Sequence, residues 1–216
     1  MKVLFLHLSD MHFVSDSSYT KKDCEEIANA VAAKIICPIS MIFLVLSGDI
    51  AFSGGAEEYN EAEKFVGELQ ASILGKVEID KEKIKVLLVP GNHDKDWNNK
   101  LVQGTFIVEQ PITVLKIDGR KYVLSHFPMA DWQSMSHESI HLHGHIHSEG
   151  SLYNEMNRMQ GLYRYDVGVD ANGYSPVSME EILAWFDGVE CRGRVKWKDW
   201  VDETGDKRVR RKLAGL

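Results

Sequence analysis

A chain of 216 residues, 44% hydrophobic and 26% charged, suits one domain with a real core and matches ordinary soluble globular composition. A net charge of −7 argues against a dedicated nucleic-acid coat protein, and no apolar run approaches the ~20 residues needed to cross a bilayer. Cys24, Cys37 and Cys191 are odd in number and widely spaced. They form neither a CxxC pair nor a disulfide framework, so a reducing, cytoplasmic setting is expected. The apolar start MKVLFLHLSD is too short for a signal peptide and meets polar chemistry at once.

The elements alternate from the start. Lys2–Leu8 (KVLFLHL) predicts a strand, and Cys24–Ile36 a helix closed by Pro38. Met41–Leu46 (MIFLVL) is a continuous apolar run ending in Ser47-Gly48, the pattern of a buried parallel strand. Glu57–Leu74 is a second helix, with Tyr59, Ala62, Phe65, Val66 and Leu69 at amphipathic spacing. Lys85–Val89 is a third buried strand stopped by Pro90-Gly91, so the first half reads βαβαβ, a parallel α/β core. After residue 100 come shorter strand candidates at Gly104–Glu109, Thr113–Ile117, Lys121–Ser125, Ser139–His143 and Tyr163–Val169. Asp118-Gly119 signals a hairpin between the second and third of these. Ser178 and Glu181 form a capping box opening a helix over Met179–Phe186. The expected organisation is a domain over residues 1–190 followed by a basic tail, 191–216, in which nine Lys/Arg face four acids. That leaves the tail at +5 and the rest of the chain at −12.

Polar clusters sit where strands run out. The first strand leads into Asp10 and His12, the second into Gly48-Asp49, and the third into Gly91-Asn92-His93-Asp94. Lys121–Ser125 ends at His126, and the HLHGHIH stretch runs through Gly144 to His145 and His147. Carboxyl ends of strands in α/β sheets converge on one rim, so Asp10, His12, Asp49, Asn92, His126, His145 and His147 are expected together. Carboxylate, imidazole and amide oxygens suit a pair of divalent cations, Mn²⁺ first, with Fe, Zn²⁺ or Ni²⁺ as alternatives. Asp49 is best placed to bridge two ions about 3.5–4 Å apart. Singly each element is weak, since Asp-x-His and strand-end Gly-Asp recur by chance. Five in order along one chain are not.

In that order the motifs Asp-x-His, Gly-Asp, Gly-Asn-His-Asp, a lone His and Gly-His-x-His resemble the signature of the calcineurin-like metallophosphoesterase superfamily. The resemblance spans about residues 1–170. It implies a four-layer αββα fold with a dinuclear metal centre at the sheet edge. By motif position Asp10, His12 and His147 would hold one metal, Asn92, His126 and His145 the other, and Asp49 would bridge. It further implies attack by a metal-bridging hydroxide on phosphorus, with His93 as general acid. Asp94 would orient His93 or its loop.

Departures from one branch narrow the substrate. Protein serine/threonine phosphatases carry Gly-Asp-x-x-Asp-Arg-Gly, where this chain reads Gly48-Asp49-Ile50-Ala51-Phe52-Ser53-Gly54, lacking the second carboxylate and the arginine. The Gly-His-x-His ending is similar to phosphodiesterase and nuclease branches. A phosphodiester, of a small molecule or a nucleotide, is therefore the expected substrate. A nuclease is the alternative, with Trp197 and Trp200 of the basic tail available to stack on bases. A catalytically silent metal-binding regulator is a second alternative, disfavoured because His93 and every ligand are in place. Trp97, Trp132 and His137 lie in connecting segments that would shape the pocket or simply pack. Asp166–Asp170 reads as a packed strand and turn that can also support the metal rim. In HLHGHIH, Gly144 is read as a turn residue, His143 as orienting a ligand, and His141 as packing.

Overall fold

The computed structural model describes residues 3–15, 19–35, 37–95, 102, 106–168, 170–173, 175 and 177–192. Eight strands among them form two four-stranded sheets. The first contains β1 (Val3–Leu8), β2 (Met41–Ser47), β3 (Ile84–Val89) and β4 (Ile107–Val108), all parallel and in that order. The second contains β5 (Ile112–Ile117), β6 (Arg120–Ser125), β7 (Ile140–His143) and β8 (Arg164–Asp166), where only the β5–β6 pair is antiparallel.

The continuous apolar runs of β1–β3 become buried because both faces of their sheet are covered. Leu6, Leu44, Val86 and their neighbours at two-residue spacing pack under α1 (Lys21–Lys34) and α2 (Ala56–Leu74). Those helices contribute Cys24, Ala28 and Val31, and Tyr59, Ala62, Phe65, Val66, Leu69 and Ile73. The alternate residues Val45, Leu87 and Val89 join a second core with Tyr122, Leu124, Ile140 and Leu142. Met179, Ile182 and Phe186 close it from α4 (Met179–Trp185) and the residue that caps it. Burying each such aliphatic side chain stabilises the fold by about 1.5–3 kcal/mol.

Helix starts follow local chemistry. Thr20 caps α1, its hydroxyl accepting from the Asp23 N–H while the Asp23 carboxylate accepts from the Thr20 N–H. That box starts the helix three residues before the predicted Cys24. The Ser178/Glu181 box opens α4 as read from the sequence. Asp118 (φ 48°) and Gly119 (φ 85°) form the β5–β6 hairpin turn, both left-handed as a type I′ turn requires.

A helix absent from the sequence reading, α3 (Leu152–Met159), lies against β8. Asn154 donates to the Asp166 carbonyl (3.0 Å) and accepts from its N–H (2.7 Å), so one amide caps the free edge of the sheet. The Gly104–Glu109 candidate reduces to Ile107–Val108, its first two residues lying outside the described residues, as do Trp97, Val169, Trp197 and Trp200. Packing continues past residue 190. Cys191 is buried in the second core, and the Arg192 N–H donates to the Gly161 carbonyl (2.8 Å). The rest of the basic tail lies outside the described residues. No described helix is long and apolar enough to cross a membrane.

Candidate metal centre

Five strand ends deliver the site. β1 leads to Asp10 and His12, β2 to Asp49, β3 to Asn92 and His93, β6 to His126, and β7 to His145 and His147. Two groups of donor atoms result, Asp10/His12/His147 and Asp49/His126/His145, and within each group all donors lie within 4.8 Å of one another. Asn92 joins the second, its Oδ1 lying 2.9 Å from His126 Nε2.

The backbone at these residues is strained. Asp10 (φ 57°), His12 (48°), Asp49 (49°), His145 (73°) and His147 (44°) are all left-handed. Side-chain-bearing residues hold that conformation only where surrounding structure imposes it, at about 1–3 kcal/mol each. Neighbouring loops impose it here through backbone bonds, Asp10 N–H to the Gly48 carbonyl (3.2 Å) and His12 N–H to the Asp49 carbonyl (2.9 Å). Such strain concentrated on candidate ligands points to a functional constraint.

The motif glycines make room. A Cβ at Gly144 would overlap the Ser9 hydroxyl and the Asp10 carboxylate, and one at Gly91 would overlap Asp49. The left-handed residues of this turn are His145 and His147, which follow Gly144. What Gly144 supplies is close approach of the β7 loop to the β1 loop, which lets the His145 N–H donate to Asp10 Oδ2 (3.0 Å).

Around His126 the electron-pair donors converge. Its Nε2 lies 2.9 Å from Asn92 Oδ1, 2.9 Å from His145 Nδ1 and 3.2 Å from Asp49 Oδ2. Its Nδ1 faces the Ser47 carbonyl at 3.4 Å, so Nδ1–H donation there turns the Nε2 lone pair toward the others. Lone pairs so close repel unless a proton or a cation sits among them. Spacings near 3 Å match the edge of a coordination polyhedron whose ligands sit about 2.1 Å from a metal. Burial disfavours a charged His126, but its hydrogen bond to Asp49 and the charges of Asp49 and Asp10 outweigh that and raise its pKa. Burial also raises the Asp49 carboxyl, yet bonds from His126 and the His93 N–H bring it below the ordinary value. For His145, burial and then the His126 charge lower the pKa.

The first group is more open. His147 Nε2 is 3.7 Å from Asp10 Oδ1, and the His147 side chain is 52% exposed. Asp10 Oδ1 and His12 Nδ1 are buried without a hydrogen-bond partner, a cost relieved when a cation accepts their lone pairs. Asp170 Oδ2 lies 3.2 Å from His147 Nδ1, the carboxylate–histidine arrangement that orients a metal-binding ring. Its place 23 residues along the chain from His147 gave only the weak rim signal noted above.

His93 stands beside both groups, its side chain 40% exposed and Nε2 3.9 Å from Asp49 Oδ2. The Phe52 carbonyl lies 2.6 Å from its Nδ1, a backbone partner that residue types do not reveal. Asp94 is buried and accepts from the Gly91 N–H (2.9 Å) and the Ala51 N–H (3.1 Å), tying the β2 and β3 loops together. Burial keeps its pKa above the ordinary value. His141 Nδ1 faces the Val123 carbonyl (3.0 Å), and its Nε2 accepts from the Met129 N–H (3.1 Å), bracing the loop after His126. His143 bonds the Gly144 carbonyl (2.9 Å) rather than a candidate ligand's side chain. Trp132 packs on His141, and His137 is exposed.

An α/β sandwich whose strand ends gather two groups of metal-ligating donors at one rim defines the scaffold of a candidate metal centre. The chain belongs to the calcineurin-like phosphoesterase family, whose model matches residues 3–163. Members of this family use divalent metals. No curated protein matches by sequence. Among solved structures, the Aquifex aeolicus protein AQ665, described as of unknown function, is 20% identical with a TM-score of 0.54, covering 85% of this chain and 99% of that one. That likeness supports the fold. A Pseudomonas putida nuclease MPE structure is 20% identical with a TM-score of 0.42, covering 68% of this chain and 64% of its own. The E. coli phosphoesterase Yfce is 14% identical with a TM-score of 0.41, covering 78% and 79%. Nothing about this chain's substrate follows from the last two.

Proposed function

We propose that the chain is a dinuclear metal-dependent phosphoesterase that hydrolyses a phosphodiester in preference to a phosphoprotein. The observation that carries this is the meeting of two donor groups at one rim, with the His93 ring beside both. Asp10, His12 and His147 would hold one ion, Asn92, His126 and His145 the other, with Asp49 between them. When bound, two divalent ions, Mn²⁺ by preference, supply Lewis acidity toward phosphoryl oxygens and lower the pKa of coordinated water.

The chain's own residues do the remaining work. Donation from His93 Nδ1–H to the Phe52 carbonyl leaves Nε2 on the site side, placed to give a proton to the departing oxygen. Asp94 holds the loops that carry Asp49 and His93 in register. Phe52 is 54% exposed, and its ring centre lies 6.1 Å from His12 and 6.0 Å from His93. Where the protein phosphatase branch has a carboxylate, this chain thus offers an apolar wall suited to a second organic ester group.

The test is turnover of p-nitrophenyl phosphate and bis(p-nitrophenyl) phosphate by Mn²⁺-loaded protein, with faster cleavage of the diester expected. Asp49→Asn should lower turnover by about 10³-fold or more with an unchanged circular dichroism spectrum. An active Asp49→Asn protein would overturn the bridging assignment.

A further inference from the structure

Helix α3 turns its apolar residues outward. Leu152, Met156 and Met159, at the i, i+4, i+7 spacing of one helix face, are 67%, 49% and 85% exposed. Its buried positions are polar because they have work to do. Asn154 holds the β8 edge, and Asn157 accepts from Arg164 (2.9 Å). Between α3 and α4 runs a groove of about 460 Å³, lined by Glu155, Arg158, Met159, Ala184 and Trp185. Large apolar side chains gathered on one exposed face mark a surface that something covers.

The basic tail starts beside this face. Cys191 is buried, and the Arg192 N–H donates to the Gly161 carbonyl, two residues past the end of α3. Residues 193–201 (GRVKWKDWV) follow, bringing Val195, Trp197, Trp200 and Val201 close together in an otherwise charged segment. Fully extended, the five residues from Arg192 to Trp197 span up to about 18 Å, against about 12 Å for the eight-residue α3. The tryptophans therefore reach the whole stripe. Each brings about 150–250 Å² of surface to bury, and methionine sulfur packs well against aromatic rings. Charge agrees with this placement. Lys196 and Lys198 flank Trp197, while the exposed Glu155 stands in the stripe and the exposed Glu190 beside Gly161.

We infer that residues 193–201 fold back along α3, seating Trp197 and Trp200 on Met156, Met159 and the groove beside α4. Held there, the two indoles are not free to stack on bases. Only the basic end of the tail, residues 207–212 (KRVRRK), is then left for an anionic partner.

Peroxide oxidation of Met156 and Met159 in the full chain, read by peptide mass spectrometry, tests the cover directly. Both should oxidise about fivefold or more slowly than in the Trp197→Ser/Trp200→Ser chain. The buried Met179 should oxidise at one rate in both proteins, which separates uncovering from unfolding. A second measurement works from the other side. Hydrogen exchange of residues 193–201 should quicken by about tenfold or more in Met156→Lys/Met159→Lys, two exposed positions that accept the change. Equal methionine rates with and without the tryptophans, or tail exchange indifferent to the methionines, would overturn the inference. So would protection that survives loss of the tryptophans but weakens on dilution, because a second copy would then be the cover.

Discussion

The two donor groups differ in how much protein surrounds them. Asp49 and His126 are buried, with side chains 4% and 1% exposed, and His126 Nε2 already stands 2.9 Å from Asn92 Oδ1 and from His145 Nδ1 and 3.2 Å from Asp49 Oδ2. In the other group His147 is half exposed, 3.7 Å from Asp10, and depends on Asp170 for its orientation. A buried, preorganised cluster spends little to order its ligands when an ion arrives. An open one must fix His147 as well. The buried group should therefore bind its ion first and hold it longer, while the open group gains and loses its ion with conditions.

The strongest way to break that comparison is to remove one histidine from each group. His126→Ala should weaken the first equivalent of Mn²⁺ by more than about 100-fold, since even outer-shell changes cost 10- to 100-fold. His147→Ala should leave that first equivalent intact and remove only the second, as read by calorimetric titration. If both variants lose the same equivalent, the two groups are one site. A smaller change sharpens the contrast. Asp170→Asn keeps shape and hydrogen-bonding capacity but removes the carboxylate behind His147, so the second equivalent should weaken by about 10- to 100-fold while the first stays put.

The strand ends were legible because a buried parallel strand is an uninterrupted apolar run, and an Asp or His directly after it has no packing role to explain it. The order of the five breaks therefore predicted the rim. What escaped shared one property: its meaning lies in a partner distant along the chain. Asp170 matters through His147, Gly144 through Ser9 and Asp10, and His93 is held by a carbonyl. Helix α3 escaped for a different reason. Its buried positions are Asn154 and Asn157, whereas Leu152, Met156 and Met159 are exposed, so its pattern is inverted from that of an ordinary surface helix. The α1 start was missed because Asp23, rather than Glu or Gln, completes the capping box.

The four histidines of HLHGHIH divide along the same lines, and the division predicts a pH effect separable from metal binding. Burial above all lowers His141 to about 4, with a smaller contribution from the Arg164 charge, and His7 on β1 is lowered to about 3 by burial and the charge of His141. The folded chain keeps both rings neutral, while the unfolded chain protonates them near pH 6.5. Their contribution to stability is thus fully present above pH 6.5 and is lost progressively as pH falls toward 4 and below. At pH 5 each buried ring should have cost about 2 kcal/mol relative to pH 7, or several degrees of melting temperature in a domain of this size. Other titrating groups add their own slopes, so the informative quantity is the difference between wild type and His141→Gln in the presence of chelator. Gln does not titrate, and the fall in melting temperature from pH 7 to pH 5 should be smaller by about 4–8 °C in the variant. Parallel profiles would mean that His141 is protonated in the fold. Its Nε2–H would then donate to the Phe127 carbonyl, 3.2 Å away, in place of accepting from the Met129 N–H.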